Sequence, residues 1–251
     1  MNAFKDYFSR QAADYADFRP GYPEALFDWL AELVPGTHVA WDCATGNGQA
    51  AVGLAARFGL VVATDASGTQ LAHATANARV QYVRMRAEHS ALSSATVDLV
   101  TAAQALHWLD IPAFFGEARR VLRPGGVVAV WCYGLPRITP AIDEVIDRYY
   151  HQTLRDAWAP ERRLVDDNYR SVAFPFTEVA APAFGITCAW TRDHLTGYLR
   201  TWSATRALQE REGRDPVLDV EREIAPAWPD ARTSLDARWD MAFRVGRTPR
   251  V

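Results

Sequence analysis

The residues best placed for ligand chemistry surround a glycine-containing turn. A short apolar run at 37–43 carries Asp42 near its end and leads into this turn. Gly46, Gly48 and Ala51 fit the spacing G-x-G-x-x-[GA], which is typical of dinucleotide-binding turns but is weak evidence alone. An ionised Asp42 would repel a diphosphate placed at the N-terminus of the following helix, but it could hold a cationic ligand directly or through water. A sulfonium amino acid joined to adenosine is a ligand of that charge.

A second carboxylate lies where the ribose of a nucleoside is expected. Asp65 ends the next apolar run, 60–64, and follows Gly46 by nineteen residues. A carboxylate at the tip of the second strand of such a sheet accepts hydrogen bonds from ribose hydroxyls. A dinucleotide and a sulfonium nucleoside both have that ribose, so Asp65 does not choose between them. Solvated acids at two strand ends are the non-functional alternative.

These residues need a parallel sheet to bring them together, and the order of the elements predicts one. Apolar runs alternate with helical segments over 37–133, an order typical of parallel strands buried on both faces. The first five strands are predicted at 37–43, 60–64, 80–85, 97–102 and 127–131. Ser67 and Asp110 are expected to begin two of the helices. Two further strands are predicted at 185–190 and 235–246, so we expect an α/β protein with a seven-stranded, mostly parallel sheet and a helical lid in its C-terminal half.

Composition places the chain among ordinary globular proteins. Its 251 residues are 49% hydrophobic and 23% charged, which argues against disordered, collagen-like and coiled-coil chains. Twenty-seven basic and thirty acidic residues give a net charge of −3, the wrong sign for a protein that binds phosphate backbones. The three cysteines form no CxxC pair, and the first thirty residues lack the apolar core of a signal peptide. We expect a cytoplasmic protein with no metal site, no membrane segment and no nucleic-acid partner.

Five motifs in register over about residues 1–133 resemble those of one enzyme family. They are DCATGNGQ at 42–49, DA at 65–66, RAE at 86–88, QALHW at 104–108 and RPGG at 123–126. With these motifs the chain resembles the class I S-adenosylmethionine-dependent methyltransferases, and most closely the small-molecule, type 11 branch that includes trans-aconitate methyltransferase. The C-terminal part resembles it more loosely, around Ser203. That family usually has glycine at the position of Ala44, and a methyl group there narrows the loop.

The resemblance implies a Rossmann-like core with S-adenosylmethionine at the carboxyl ends of its strands. The turn at 44–48 would lie beneath the methionine portion, Asp65 would take the ribose, and Glu88 would face the adenine edge. Gln104 would approach the methionine amino group, and Arg19 could pair with a carboxylate of the cofactor or the substrate. The cofactor-binding residues implied in this way are Tyr15, Arg19, Asp42, Ala44, Thr45, Gly46, Asn47, Gly48, Asp65, Ala66, Ala87, Glu88, Gln104 and Ala105.

The acceptor side is expected where the fourth and fifth strands end. The expected substrate-binding residues are His107, Trp108, Trp131, Tyr133 and Trp202. Methyl transfer from a sulfonium is an in-line displacement, which gains most from alignment of the reacting atoms and exclusion of water. A carboxylate acceptor is already ionised at pH 7 and needs no base. His107 is the candidate catalytic base, although lining the site is its simpler role.

Three regions are expected within one structural domain. Residues 1–36 would form N-terminal cap helices, 37–133 the cofactor-binding core, and 134–251 a lid insertion that also completes the sheet. In the resembling family the N-terminal region closes over the cofactor, which is why Tyr15 is counted among the contacts. The arginine pair at 162–163 is interpreted as a solvated face.

These observations favour an enzyme that transfers a methyl group from S-adenosylmethionine to a small molecule, with S-adenosylhomocysteine as its product. A carboxylate oxygen is the favoured acceptor, because of the trans-aconitate resemblance and Arg19, and amine, hydroxyl and carbon acceptors are compatible. An NAD(P)-dependent oxidoreductase shares the glycine turn and the ribose acid, and a non-catalytic module that senses the cofactor is a second alternative. An RNA methyltransferase is opposed by the acidic charge balance. A monomer or a homodimer is expected.

Overall fold

A parallel sheet forms the centre of the protein, in the order that the apolar runs predict. The computed structural model describes residues 18–250. The five parallel strands are β1 (Val39–Cys43), β2 (Leu60–Asp65), β3 (Val80–Arg84), β4 (Val97–Ala103) and β5 (Leu122–Tyr133). They lie in the order β3-β2-β1-β4-β5, so the direction in which strands are added reverses between β1 and β4. Open α/β sheets bind ligands at the carboxyl ends of their strands beside such a reversal.

Three further strands complete the sheet. They are β6 (Thr177–Glu178), β7 (Gly185–Trp190) and β8 (Leu235–Arg247). Seven strands lie in one row, β3-β2-β1-β4-β5-β8-β6, with β8 antiparallel to β5 and β6. The expected seven-stranded, mostly parallel arrangement is confirmed. The predicted strand at 185–190 also forms, but it pairs with the first half of β8 outside the row, and β6 takes the edge instead.

Helices cover the sheet and build most of the C-terminal region. Those of the described residues are α1 (Glu24–Leu33), α2 (Gln49–Ala55), α3 (Gly68–Ala72), α4 (Ile111–Val121), α5 (Pro140–Arg148), α6 (Arg163–Asp166), α7 (Arg192–Arg200), α8 (Ser203–Glu212) and α9 (Val217–Ile224). Ser67 and Asp110 each accept a backbone N–H three residues ahead, which confirms both predicted caps. The helices α7 and α8 are separate because Trp202, between them, has an extended backbone. None of these helices has the length and apolar character that a bilayer span requires.

Three hydrophobic clusters hold the layers together. Adjacent residues of β1 point into different clusters, Ala40 towards α1 and α2, and Trp41 towards α4. These two clusters cover opposite faces of the sheet, as a strand buried on both sides requires. The third cluster lies in the C-terminal region, where Tyr198 and Trp202 are buried, and it reaches the sheet at Tyr133. The C-terminal region therefore has an apolar core of its own that is continuous with the end of β5.

Candidate active site

A cavity of about 690 Å³ opens where the parallel strands end. It lies beside the reversal in strand order, the position at which this sheet topology is expected to bind a ligand. Most of the residues predicted for the site lie around it. They are Ala44, Thr45, Gly46, Asn47, Asp65, Ala66, Ala87, Glu88, Gln104, Ala105, His107 and Trp108.

The turn between β1 and α2 has left-handed backbone at three positions. Gly46 and Gly48 have φ angles of +58° and +89°. A Cβ atom on Gly48 would lie 2.1 Å from the hydroxyl oxygen of Tyr82, so this position needs glycine for space as well as for conformation. Ala44 has a φ of +49°, and an L-residue in this region costs about 1–2 kcal/mol. The departure from glycine at Ala44 therefore costs backbone strain in addition to narrowing the loop.

The turn is hydrogen-bonded internally. The backbone N–H of Gly46 donates to the Asp65 carboxylate at 2.9 Å. The N–H of Gly48 donates to the carbonyl of Thr45 at 3.0 Å. The second oxygen of Asp65 accepts the N–H of Ser67 at 2.8 Å. Asp65 thus fastens the turn to the end of β2 while it faces the cavity.

Asp42 lies behind the turn and does not line the cavity. Its side chain is completely buried, and its oxygens accept the hydroxyls of Thr45 at 2.5 Å and Thr101 at 2.7 Å. Burial raises the pKa of Asp42 to about 6, against the opposing effect of these two hydrogen bonds. The expectation that Asp42 touches the ligand directly is wrong, because β1 turns this side chain inward. Asp42 positions the turn instead.

The carboxylate of Glu117, on α4, fixes the loop that follows β3. The Glu88 carboxylate accepts Nε of Arg86 at 3.2 Å and lines the cavity. Two residues further on, the N–H and hydroxyl of Ser90 donate to Glu117 at 2.7 and 2.5 Å. The Arg120 guanidinium on the same carboxylate, together with Ser90, holds the pKa of Glu117 near 2. The loop is therefore anchored by an ionised carboxylate next to the position of Glu88.

Gln104 joins the ends of β4 and β5. Its side-chain amide donates to the carbonyl of Tyr133 at 3.1 Å and accepts the N–H of Tyr133 at 2.8 Å. Its own N–H donates to the carbonyl of Trp131 at 2.8 Å. These bonds hold Gln104 at a φ of +53°, which a residue other than glycine or asparagine rarely adopts. The amide head is therefore engaged with β5, and the backbone of Gln104 is the part that remains close to the cavity.

His107 lines the cavity from a 3₁₀ turn at Leu106–Trp108. Its Nδ1 lies 2.9 Å from the hydroxyl oxygen of Tyr169. Burial lowers the pKa of His107 to about 3, and the charges of Arg162 and Arg19 lower it further. A general base works best with a pKa near the working pH, so His107 is a poor proton acceptor at pH 7. Its position in the lining agrees with the simpler of the two predicted roles.

Three aromatic residues expected on the acceptor side do not line the cavity. Trp131 is fully buried and packs edge-on against Tyr22, with ring centroids 5.4 Å apart. Tyr133 lies in the C-terminal core, and Trp202 stacks on Tyr149 with centroids 6.1 Å apart in the same core. Their rings are buried in the apolar clusters on either side of the strand ends, so the structure does not bring them to the cavity as the sequence predicted.

Besides Asp42, two more of the predicted cofactor contacts do not line the cavity, and one lies outside the described residues. The Arg19 guanidinium donates to the hydroxyl of Tyr133 at 3.5 Å and to the carbonyl of Thr201 at 3.4 Å, and it does not line the cavity. Gly48 caps α2 behind the turn. Tyr15 falls in the segment that the structure does not describe.

Some lining residues were missed by the sequence. Tyr22, in the N-terminal region, borders the cavity and was not among the predicted site residues. Asp110 lies two residues after the QALHW motif, so the neighbourhood of that motif was a usable signal. Glu161 comes from the insertion after β5, where no motif or periodicity marked it.

The fold and the position of this cavity define a class I methyltransferase architecture, and comparison with known proteins agrees. A family model described as a methyltransferase domain matches residues 41–130. A protein of Dictyostelium discoideum named as a candidate methyltransferase is 31% identical over 229 residues, which cover 90% of this chain and 87% of that protein. Methyltransferase cfoB of Aspergillus candidus is 30% identical over 69% of this chain and 64% of its own length.

A solved structure is similar over almost the whole chain. The structure of a candidate type II methyltransferase from Anaeromyxobacter dehalogenans has 44% sequence identity and a TM-score of 0.86, and the match covers 92% of this chain and 99% of that one. The chain belongs to the class I S-adenosylmethionine-dependent methyltransferases. Its cofactor is therefore S-adenosylmethionine.

Proposed function

We propose that the cavity binds S-adenosylmethionine with its nucleoside over β2 and β3, and that the chain methylates a small molecule. In this proposal the turn at 44–48 supports the methionine portion and Asp65 binds the ribose hydroxyls. Ala66 and Glu88 contact the adenine, and the backbone of Gln104 faces the methionine amino group. A carboxylate can accept about four hydrogen bonds, so the two backbone N–H groups on Asp65 do not exclude a ribose hydroxyl.

The observation that carries the proposal is the internal hydrogen bonding of the glycine turn. A diphosphate at this position binds turn N–H groups and the N-terminus of the helix. Here the N–H groups of Gly46 and Gly48 are used by Asp65 and by the turn itself. The backbone of Ala51, in the first turn of α2, also stabilises the Asp42 carboxylate. Fewer turn N–H groups are therefore left for a diphosphate of NAD(P), whereas a sulfonium nucleoside needs none.

The charge of the lining supports the same ligand. The described residues around the cavity include four carboxylate side chains, Asp65, Glu88, Asp110 and Glu161, and one guanidinium, Arg86. A lining of that sign attracts a ligand with a net positive charge and repels a dinucleotide diphosphate. S-adenosylmethionine is positively charged at its sulfur.

When bound, S-adenosylmethionine supplies an electrophilic methyl group on a cationic sulfur. The chain's contribution is to hold the acceptor in line with that group and to keep water out, which lowers a barrier by about 7–11 kcal/mol in favourable cases. Trp108 and His107 form the wall on the side of β4. With the pKa of His107 at about 3, this proposal does not use His107 as a base.

The acceptor group, the lid and the oligomeric state are also part of this proposal. A carboxylate acceptor was expected partly because of Arg19, whose guanidinium contacts Tyr133 and Thr201 away from the cavity, so the geometry does not support that acceptor. Residues 134–251 are proposed to act as a lid over the acceptor end. We also propose a cytoplasmic monomer or homodimer that acts without nucleic acid.

The test compares two carboxylates of the same cavity. Asp65→Asn places an amide N–H₂ against a backbone N–H donor, and Asp110→Asn keeps a good helix cap. Calorimetric titration with S-adenosylhomocysteine should show at least tenfold weaker binding for Asp65→Asn, since a hydrogen bond to a charged group contributes about 1.5–3 kcal/mol. Asp110→Asn should bind within threefold of the wild type. Equal affinity of a folded Asp65→Asn protein and the wild type would remove the ribose assignment. Absence of methyl transfer with cofactor binding intact would favour the sensing module.

A further inference from the structure

The hydrogen-bond ladder between β4 and β5 ends in an unusual way at Gln104. The two strands pair in parallel up to Ala103, which lies opposite Trp131, and the N–H of Gln104 then donates to the carbonyl of Trp131 at 2.8 Å. In a regular parallel ladder the next bond would run from the N–H of Tyr133 to the main-chain carbonyl of Gln104. The bond after it would run from the N–H of Leu106 to the carbonyl of Tyr133. Neither bond forms within the described part of the chain.

The side chain of Gln104 makes both bonds in place of the main chain. Its amide oxygen accepts the N–H of Tyr133 at 2.8 Å, and its amide nitrogen donates to the carbonyl of Tyr133 at 3.1 Å. Tyr133 is only 2% exposed, and buried backbone groups need hydrogen-bond partners. The amide therefore completes the end of β5 without the main chain of Gln104.

This exchange releases the main-chain carbonyl of Gln104 from the sheet. No backbone N–H of the described residues donates to that oxygen. Gln104 and its two neighbours, Ala103 and Ala105, all line the cavity. Ligand cavities use a small number of backbone carbonyl and N–H groups to orient what they bind. The released carbonyl is therefore an acceptor at the wall of the cavity.

A second left-handed residue lies across the reversal in strand order from Gln104. Ala44 follows β1 with a φ of +49°, Gln104 follows β4 with a φ of +53°, and these two strands are neighbours in the sheet. Both residues line the cavity. Such backbone at residues other than glycine costs energy, persists only where the surroundings hold it, and clusters at binding sites. At Gln104 the two amide bonds to Tyr133 hold it.

We propose that Gln104 is a positioning residue: its amide replaces its own main-chain carbonyl in the sheet, and that carbonyl is thereby left to accept the ammonium group of the cofactor's methionine portion. This inference rests on the proposed methyltransferase function, which assigns the backbone of Gln104 to that amino group. An ammonium group has three N–H donors and needs acceptors. Without the amide, the N–H of Tyr133 would compete with the cofactor for the same carbonyl oxygen.

The test removes the amide of Gln104 and, separately, the amino group of the ligand. Gln104→Met keeps a long unbranched side chain and removes both bonds to Tyr133. Calorimetric titration of the full chain compares S-adenosylhomocysteine with its analogue in which hydrogen replaces the amino group, and weak binding is measured by displacement. Gln104→Met should weaken binding of S-adenosylhomocysteine by about tenfold or more, because a hydrogen bond to a charged group is lost. Its affinity for the analogue should stay within about threefold of that of the wild type, since the analogue never makes this bond.

The comparison separates positioning from a general weakening of the site. A purely structural role of Gln104 would weaken both ligands by the same factor, and that result overturns the inference. Unchanged affinity of Gln104→Met for S-adenosylhomocysteine overturns it as well. So do equal affinities of the wild type for the two ligands, because the amino group would then contribute nothing. A wild-type protein that binds neither ligand instead contradicts the proposed function.

Gln104→Asn repeats the test in a variant chosen to keep the backbone conformation. Asparagine adopts left-handed backbone more readily than most residues, but its amide is one methylene too short to make both bonds to Tyr133. The same selective loss of affinity for S-adenosylhomocysteine is expected, and wild-type affinity for both ligands would overturn the inference. Gln209→Met, at an exposed site on α8, is the matched control and should bind both ligands as the wild type does.

Discussion

The buried Asp42 should make the stability of the protein depend on pH in an unusual direction. Burial raises its pKa from the ordinary 3.8 to about 6 in the folded chain. The folded state therefore holds this proton more tightly than the unfolded state. Its stabilising effect is complete below pH 3.8 and is lost as the pH rises through 6. Between pH 5 and pH 8 that pKa displacement corresponds to a loss of about 1.4 kcal/mol in the free energy of unfolding.

Asp42→Asn isolates this contribution, because an asparagine cannot titrate. We expect the free energy of unfolding of the wild type to fall by about 1.4 kcal/mol relative to that of Asp42→Asn between pH 5 and pH 8. Urea unfolding followed by circular dichroism at several pH values measures both. When the free energy of unfolding of Asp42→Asn is subtracted from that of the wild type at each pH, the contributions of all other titrating groups cancel.

Thr101→Val provides a control with a defined direction. Its hydroxyl donates to Asp42 at 2.7 Å and favours the charged carboxylate. Its removal should raise the pKa of Asp42 and move the loss of stability to higher pH. A constant difference between the wild type and Asp42→Asn across the whole range would refute the reasoning, since it would mean that Asp42 titrates alike in the folded and unfolded chain.

Two further substitutions test how the cavity is held in shape. Gly48→Ala should lower the free energy of unfolding, measured in urea, more than Gly46→Ala does. Both glycines have positive φ, so both substitutions cost backbone strain. A Cβ on Gly48 would in addition lie 2.1 Å from Tyr82 Oη, whereas a Cβ on Gly46 would come no closer than 3.8 Å to Gln70. Equal losses would mean that Tyr82 moves aside without cost. Gln104→Ala should cost about 1–3 kcal/mol in unfolding free energy, because the N–H and carbonyl of Tyr133 lose their partner. Gln209→Ala, at an exposed site on α8, is the control for Gln104→Ala. If both substitutions lowered the free energy of unfolding by the same small amount, the proposed link between β4 and β5 would be contradicted.

The sequence predicted the elements that carry the cavity because its signals there are local. Apolar runs ending in Cys43 and Asp65 mark strands that are buried on both faces, and the glycine spacing marks the turn between β1 and α2. Asp110 was identified as a helix cap from its place before an apolar helical pattern. Each of these signals lies within a few residues of the feature that it predicts.

The direction of a side chain at a strand end is not local information. Trp131 ends the predicted fifth strand, as a residue of the site should, but the pleat of the strand directs it into the cluster beneath α1. Asp42 is likewise turned inward, where its carboxylate accepts a hydrogen bond from the hydroxyl of Thr101 on the neighbouring strand. Trp202 is set by packing against Tyr149, fifty-three residues away in the chain. Sequence periodicity contains neither the strand register nor these packing partners.

Glu161 illustrates the same limit at the acceptor end. The insertion has no motif, and the adjacent arginine pair is typical of a solvated surface. The half-buried Arg162 guanidinium instead packs over two aromatic rings, because Tyr150 and Trp158 come together only in the folded insertion.

The central claim is that the glycine turn accepts a cationic sulfonium nucleoside and not a diphosphate. Parallel calorimetric titrations of the full chain with S-adenosylmethionine and with NADH test it most directly. We expect saturable binding of S-adenosylmethionine and no heat of binding from NADH at the same concentrations. Saturation by NADH, with no response to S-adenosylmethionine, would contradict the account.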